Sequence, residues 1–511
     1  MSFESILFHD AGDRVSEMQL QAPDFFVDLN LDQIIAAVTT GKEEYNLIPF
    51  FHAPLHDVDA IVFRHEILQD LEDPRLFGIV KAFAGSMRMV RAHLGELGRR
   101  YYEHQKEWWF LDAVDRYGEA VNRLVRDLSA ATFSSRGLRA FCDYLTQYAS
   151  SGAFTSLLMQ AKGLKAGLEA IRYSVFIRDL AVEVHDYGGK PDYSAEVVAT
   201  FERFSQGDVH EYVFKFSDSP EMDHVEAQIL DGVARLNQET FAELASYKAA
   251  NSDFLSPTIV AFDREVQFYV AYLDYMAPLK KAGLNFCYPR ISPIRKEVHD
   301  EQGFDLALAS KLIRKGGTLV CNDFYLEGPE RIIVVSGPNQ GGKTTFARTF
   351  GQLHYLASLG LPVPGTSAQL YLFDRILTHF ERQEHMTNLR GKLEDDVVRM
   401  HAILKEATPR SIIIINEIFA STTLRDAIFL SKKIATTIME LDLLCVWVTF
   451  LDEISSLSEQ TISMVSTVVP KNPAQRTFKI VRQRADGLAY AMSLAEKYRL
   501  TFDMIRERTG S

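Results

Sequence analysis

The chain has 511 residues, 47% of them hydrophobic and 24% charged, with a mean hydropathy of -0.07; this is the balance of a globular protein with room for about two to four domains. A formal net charge of -13 and a pI near 5.6 exclude a surface that is basic everywhere, but are compatible with a positive channel. No apolar run reaches the ~18 residues of a membrane span, and the start MSFESILFHDAGDR lacks the basic end and apolar core of a secretion signal, so a cytoplasmic location and no membrane partner are expected.

Residues 1–45 read as an irregular arm with one short helix, where Asn30 and Gln33 stand at capping-box spacing before Ile34 and Ile35. Residues 46–300 are expected to form a helical core with long lever helices. Val58, Ile61, Val62, Leu68 and Leu71 describe one helical face, and Val114, Tyr117, Val121, Leu124 and Leu128 alternate steps of three and four. A small β-containing insert is expected near 173–216, with strands at Val175-Phe176-Ile177 and Tyr212 to Phe216 and a turn at Gly188-Gly189-Lys190-Pro191. Two long helices should follow, roughly Met222 to Ala249 and Pro257 to Lys281; the second would be a rod of roughly 35–40 Å at ~1.5 Å per residue.

After Pro289 and Pro293 the pattern becomes α/β, and residues 301–511 are expected to form the last domain. Strands are expected at Ile332–Val335, Tyr371–Thr378, Ile412–Ile415 and Leu443–Thr449 with helices between them, which implies a mostly parallel sheet covered on both faces. The four cysteines, Cys142, Cys287, Cys321 and Cys445, are far apart and read as reduced core residues. The histidines show no metal-ligand spacing.

The stretch 331–345, RIIVVSGPNQGGKTT, carries the chemistry. A buried strand runs straight into Gly337, Pro338, Asn339, Gln340, Gly341, Gly342, Lys343, Thr344 and Thr345, and an amphipathic helix follows. Glycines let backbone amides and the helix N-terminus approach an anion, Lys343 reaches the β- and γ-phosphates, and the Thr344 hydroxyl can ligate Mg²⁺. The pattern implies that ATP or a similar nucleotide is bound here with Mg²⁺. A second apolar strand ends in Asn416 and Glu417. Glu417 is the candidate to orient or deprotonate an attacking water. Asn416 stands where nucleotide hydrolases usually carry an aspartate, and its amide can accept from Thr344 but adds no negative charge.

These residues, with Cys321-Asn322-Asp323 before the loop and INEIFASTTLRDA at 415–427, resemble the ATPase domain of the MutS family, a relative of ABC-type and SMC ATPases. The resemblance covers roughly 300–511, including Asp374-Arg375-Ile376 and Ala407-Thr408, and extends weakly to DAIVFRHEILQDL at 59–71. It implies an all-helical core and lever region followed by an ABC-type phosphate-loop ATPase domain. It also implies a homodimer that holds two ATPs between facing domains, with Asn339 beside the phosphates and Gly391, Lys392 and Asp426 at the dimer interface. DNA is the partner it implies and ATP hydrolysis the activity, which the following departures predict to be slow. The chain departs from the family at three places: Gly391-Lys392-Leu393 replaces a Ser-Thr-Phe signature, Phe450 replaces a switch histidine, and Asn416 replaces an aspartate. The chain is expected to have no room for the family's mismatch-sensing domain, and Phe241-Ala242-Glu243, the one tempting Phe-x-Glu, falls inside a helical stretch.

Two other readings remain at this point. An ATP-gated scaffold or remodelling clamp on a protein or ribonucleoprotein fits the acidic insert, and a structural dimer with negligible hydrolysis fits Asn416 and Phe450. The mixed basic and aromatic residues Arg88, Arg91, Arg99, Arg100, Lys106, Tyr101, Tyr102, Trp108 and Trp109, and parts of Lys471 to Arg484, are either a nucleic-acid surface or helices with buried aromatics.

Overall fold

The computed structural model describes residues 3–9, 22–178, 181–188, 222–381, 391–469, 472–485, 501 and 504–506. The expected strand at Tyr212 to Phe216 and most of the turn from Gly188 to Pro191 lie outside the described residues, as does much of the 173–216 insert. The chain divides into two compact units. The first comprises residues 1–2, 75–132 and 140–263, and the second residues 3–74, 133–139 and 264–511.

The first unit is built from the helices Pro74–Leu97, Glu103–Ser129, Gly152–Ala170, His224–Leu236 and Gln238–Ala250, most of Arg136–Ala149, and the first turns of Pro257–Lys281. The three-four stripe on Glu103–Ser129 is its spine, since Val114, Tyr117 and Val121 are wholly buried. Polar tips inside this core are satisfied. The Tyr117 hydroxyl donates to that of Tyr148 (3.1 Å) and accepts from the Ser256 amide (3.2 Å). Phe141 stacks on Phe262 with centroids 3.5 Å apart. A hairpin of β1 (Tyr173–Arg178) and β2 (Ala181–Asp186) is the described part of the insert.

The expected single helix from Met222 to Ala249 is two helices. His224–Leu236 begins in a capping box of Asp223 and Glu226 and ends at Asn237, whose φ of -118° and ψ of 46° are not helical. The Asn237 side-chain amide donates back to the Val233 carbonyl (2.9 Å), closing the last turn. Phe241-Ala242-Glu243 does lie within a helix.

The second unit has helices Phe25–Asp28, Leu31–Thr39, Ile48–His52, Val58–Leu71, Leu306–Ile313, Lys343–Ser358, Lys392–Glu406 and Leu424–Glu440, together with the rest of Pro257–Lys281. A two-stranded sheet pairs β3 (Phe286–Cys287) with β8 (Val363–Pro364). A four-stranded sheet holds β4 (Arg290–Ser292), β9 (Ser367–Tyr371), β5 (Val298–Gly303) and β6 (Asn322–Leu326) in that order. The main sheet has six strands: β7 (Ile332–Ser336), β10 (Ile376–His379), β11 (Ile412–Asn416), β12 (Leu444–Val448), β13 (Thr461–Val469) and β14 (Asn472–Arg482), in the order β10-β11-β12-β7-β13-β14. All neighbours are parallel except β13 and β14.

Strand alternation decides which helix covers which face. Ile332, Val334, Ile413, Ile415, Cys445 and Trp447 point to the face covered by Met400, Ala435 and Ile438 of the helices Lys392–Glu406 and Leu424–Glu440. Ile414 points the other way, against Gly351 of Lys343–Ser358. The sheet is therefore covered on both faces, as parallel strands require.

Four local expectations change. The strand expected over 371–378 falls on the last residue of β9 and the first three of β10, which lie in different sheets. Asp374 makes the break, its carboxylate accepting from Thr408 Oγ1 (2.6 Å) and Ser411 Oγ (3.0 Å). Asn30 does not form a capping box, because its φ is 57° and Gln33 donates to its side chain (3.2 Å). Of the cysteines, which are all free, Cys445 alone is fully buried. The arm is also less irregular than expected: residues 25–28 and 31–39 are helical. Arg348 donates to the Asp28 carbonyl and Gln352 to that of Leu29 (both 2.8 Å), so the arm braces the helix that follows the phosphate loop.

Candidate nucleotide-binding site

The four consecutive apolar residues Ile332 to Val335 are wholly buried, which fixes the point where the chain leaves the sheet. The turn that follows needs unusual backbone. Gly337 has φ of 112° and Gly342 of 92°, and Gln340, at 59°, takes the left-handed region without being glycine. A Cβ on Gly337 would lie 2.8 Å from the Ser466 carbonyl oxygen, and one on Gly341 would lie 2.2 Å from Ser466 Oγ. Ser466 of β13 donates to the Gly341 carbonyl (2.7 Å) and so braces the loop from the neighbouring strand. Pro338 is buried under the loop, whereas Asn339 and Gln340 are exposed at its tip.

Lys343 opens the helix and is 4% exposed. Its Nζ donates to the carbonyls of Gly337 (2.9 Å) and Pro338 (3.2 Å) and lies 3.4 Å from Asn339 Oδ1. The Phe450 ring sits against the same ammonium, 4.3 Å from centroid to Nζ, and Glu417 Oε1 is 3.9 Å away. Burial pushes the Lys343 ammonium below its ordinary pKa, with Glu417 opposing the shift.

Asn416 and Glu417 end β11, which is two strands from β7, because β12 lies between them. The helix start still bridges the gap, since Thr344 Oγ1 donates to Asn416 Oδ1 at 2.9 Å. Glu417 has φ of 57° and Phe419 of 63°, conformations that cost a non-glycine residue roughly 1–2 kcal/mol each. The Glu417 amide donates to the Val448 carbonyl (3.0 Å), which helps hold this turn. Lys343, Thr344, Asn416 and Glu417 thus lie together at the loop.

Thr345 lines a cavity of about 320 Å³ with Gly342, Phe346, Asn322 and Phe478; its size is that of a small-molecule pocket. Asn322 shapes the wall, accepting from the Ile480 amide (2.7 Å) and donating to the Phe478 carbonyl (3.1 Å). Ser466 and Phe478 carried no sequence signal, because both lie more than a hundred residues after the loop and meet it only through strand pairing.

Gly391, Lys392 and Asp426 stand at the starts of two other helices. Gly391 is exposed, Lys392 pairs with Glu381, and Asp426 accepts from Thr423 Oγ1 (2.8 Å). The basic and aromatic residues near 88–109 are largely engaged within their own unit. Arg91 pairs with the buried Asp263, Arg100 with Glu96 (2.7 Å) and the face of Trp109, and Lys106 with Glu103 (3.1 Å). Among the described residues, no group of three or more His, Cys, Asp or Glu side chains is arranged to hold a metal.

The family MutS domain V matches residues 333–506. The DNA mismatch repair protein MutS of Zymomonas mobilis is 26% identical over 278 residues, covering 51% of this chain and 32% of that protein. That of Erythrobacter litoralis is 25% identical over 513 residues, 91% of this chain and 55% of the relative. That of Thermodesulfovibrio yellowstonii is 26% identical over 182 residues, 34% of this chain and 21% of the relative. The chain thus spans about half the length, or less, of the relatives it matches.

Proposed function

We propose, from the match of residues 333–506 to MutS domain V and the 25% identity to a MutS protein over 91% of the chain, that this is a MutS-family, ATP-dependent DNA-binding protein that hydrolyses ATP slowly at a homodimer interface. The observation that carries this reading is the convergence of Lys343, Thr344, Asn416 and Glu417 at one glycine-rich loop. Loop amides and the helix N-terminus receive the phosphates. Lys343 exchanges its carbonyl contacts for phosphate oxygens, and the Thr344 hydroxyl would be the side-chain ligand of a bound Mg²⁺. Mg²⁺, when bound, neutralises charge that develops on the phosphates. Glu417 orients the attacking water and accepts its proton.

Two features make this hydrolysis slow. Asn416 supplies an acceptor without charge, so Mg²⁺ is held less tightly. Phe450 places an apolar ring beside Lys343, where a polar group would order water. Gly391, Lys392 and Asp426 contact the partner's nucleotide in the dimer. ATP occupancy then favours one of two arrangements of the helical arms, so that opening and closing on non-standard DNA is coupled to nucleotide as differential affinity. A 301–511 ATPase domain, a 46–300 helical region and a 1–45 arm are the functional divisions that go with this reading.

A second reading is favoured by the internal pairing of Arg91, Arg100 and Lys106, which leaves fewer cations for phosphate: an ATP-gated scaffold or remodelling clamp on a protein or ribonucleoprotein. The deciding experiment is the salt dependence of binding to duplex, single-stranded and branched DNA, with and without ATP and Mg²⁺. Steep loss of affinity with salt, differing among DNA forms and shifted by ATP, is the expected result. No binding to any form would transfer the assignment to the scaffold. Lys343→Ala is expected to abolish ATP binding, and Glu417→Gln to abolish turnover while leaving binding intact. Equal turnover in wild type and Glu417→Gln would remove Glu417 from the mechanism.

A further inference from the structure

The turn that carries Glu417 is held from a second direction. Asp396, in the second turn of the Lys392–Glu406 helix, is 7% exposed, and its Oδ2 accepts from the Phe419 amide at 3.3 Å. Its Oδ1 lies 3.3 Å from Nε2 of His379, the last residue of β10, which is 1% exposed. Arg399, one helical turn on, donates to the Phe380 carbonyl (3.2 Å) and ties the same helix to the same strand end. Burial opposes the charge on Asp396, yet His379 and the Phe419 amide hold its carboxyl below the ordinary aspartate range.

We propose that Asp396 is a positioning residue for Glu417, holding the strained 417–419 turn through the Phe419 amide and tying it to the helix that begins at Gly391 and Lys392. This rests on the reading of Glu417 as the water-orienting group. A buried carboxylate is a costly way to fill space, and its removal leaves a buried amide without an acceptor. The turn contains two left-handed non-glycine residues, Glu417 and Phe419, and such backbone persists only where surrounding contacts over-determine it. Two hydrogen bonds hold it: Glu417 N to Val448 O, from β12, and Phe419 N to Asp396, from the helix. The second one links the helix start expected at the dimer interface to the catalytic carboxylate of the same chain through a continuous set of contacts. That is the physical form such coupling requires.

The test compares full-length Asp396→Ala, which removes the acceptor, with Asp396→Asn, which keeps an oxygen acceptor and the volume. In Asp396→Ala, kcat for ATP is expected to fall on the order of tenfold or more while KM stays within about threefold. Asp396→Asn should recover most of that loss. Amide hydrogen exchange over residues 417–420 should accelerate in Asp396→Ala and remain slow in Asp396→Asn, and this readout needs no turnover. Parallel losses of kcat and affinity, no rescue by asparagine, or unchanged exchange in Asp396→Ala would each overturn the proposal. If the wild type itself fails to hydrolyse ATP, the catalytic reading of Glu417 falls, and the exchange comparison still decides whether Asp396 holds the turn.

Discussion

The hydroxyl of Thr344 donates to Oδ1 of Asn416 across 2.9 Å, joining the helix after the phosphate loop to a strand two positions away in the sheet. This one bond places the residue expected to ligate Mg²⁺ against an amide rather than a carboxylate. Asn416→Asp keeps the shape and adds a charge. Two unit charges 4 Å apart gain about 1 kcal/mol in water and about 4 kcal/mol at a protein surface, so the lower part of that range implies Mg²⁺ binding tighter on the order of tenfold. A Mg²⁺ titration of ATP turnover checks this, and an unmoved midpoint would show that the 416 side chain does not sense the ion.

Phe450 is 52% exposed, yet its ring lies 4.3 Å from Lys343 Nζ. An exposed cation–π contact is worth about 0.5–1 kcal/mol and competes with phosphate for the lysine. Phe450→Ala should therefore tighten ATP binding by about two- to fivefold, with stability nearly unchanged. Calorimetric titration reads the affinity directly; weaker binding would mean that the ring supports the nucleotide rather than competing with it.

Asp300 is 1% exposed, and its carboxylate faces the Gly303 backbone. Burial, with Asp323 and Glu301 nearby, pushes its pKa up to about 9. An unfolded aspartate titrates near about 3.9, so between roughly pH 4 and 9 the folded chain binds the extra proton. The contribution of this group to stability is thus full at low pH and declines as pH rises through that window. Asp300→Asn cannot ionise and should flatten the decline, as read from denaturant midpoints at pH 5, 7 and 8.5. Parallel pH profiles for the two proteins would show that Asp300 is ionised in the fold.

Gly351 lets the Lys343–Ser358 helix approach the sheet, because a Cβ there would lie 2.6 Å from the ends of both Ile414 and Leu29. Gly351→Val should overpack this contact and cost about 1–3 kcal/mol, visible as a lowered unfolding midpoint. An unchanged midpoint would mean that Ile414 and Leu29 swing aside freely.

The strand, glycine-rich loop and helix at 332–358 could be read from the chain because everything they need is local. A buried apolar run, a fixed pattern of glycines and an amphipathic helix occupy consecutive residues, and each leaves its own signature in composition or period. The same holds for Asn416 and Glu417, which close an unbroken run of isoleucines. The helix break at Asn237 was hidden, because apolar spacing continues across it and one side-chain amide makes the difference. The split between β9 and β10 was hidden in the same way, since Asp374 is a single polar residue in an apolar stretch.

What the chain determined by itself was therefore the strand–loop–helix unit, the chemical types at the ends of two strands, and the helical character of the first half. Only the tertiary structure decided that β12 lies between β7 and β11, that Ser466 and Phe478 wall the loop, that Phe450 covers Lys343, and that Asp396 reaches the turn behind Glu417. The physical reason is the range of the forces involved. Backbone conformation and side-chain periodicity are set within a few residues, whereas strand order and side-chain contact depend on burying apolar faces against partners far away in sequence.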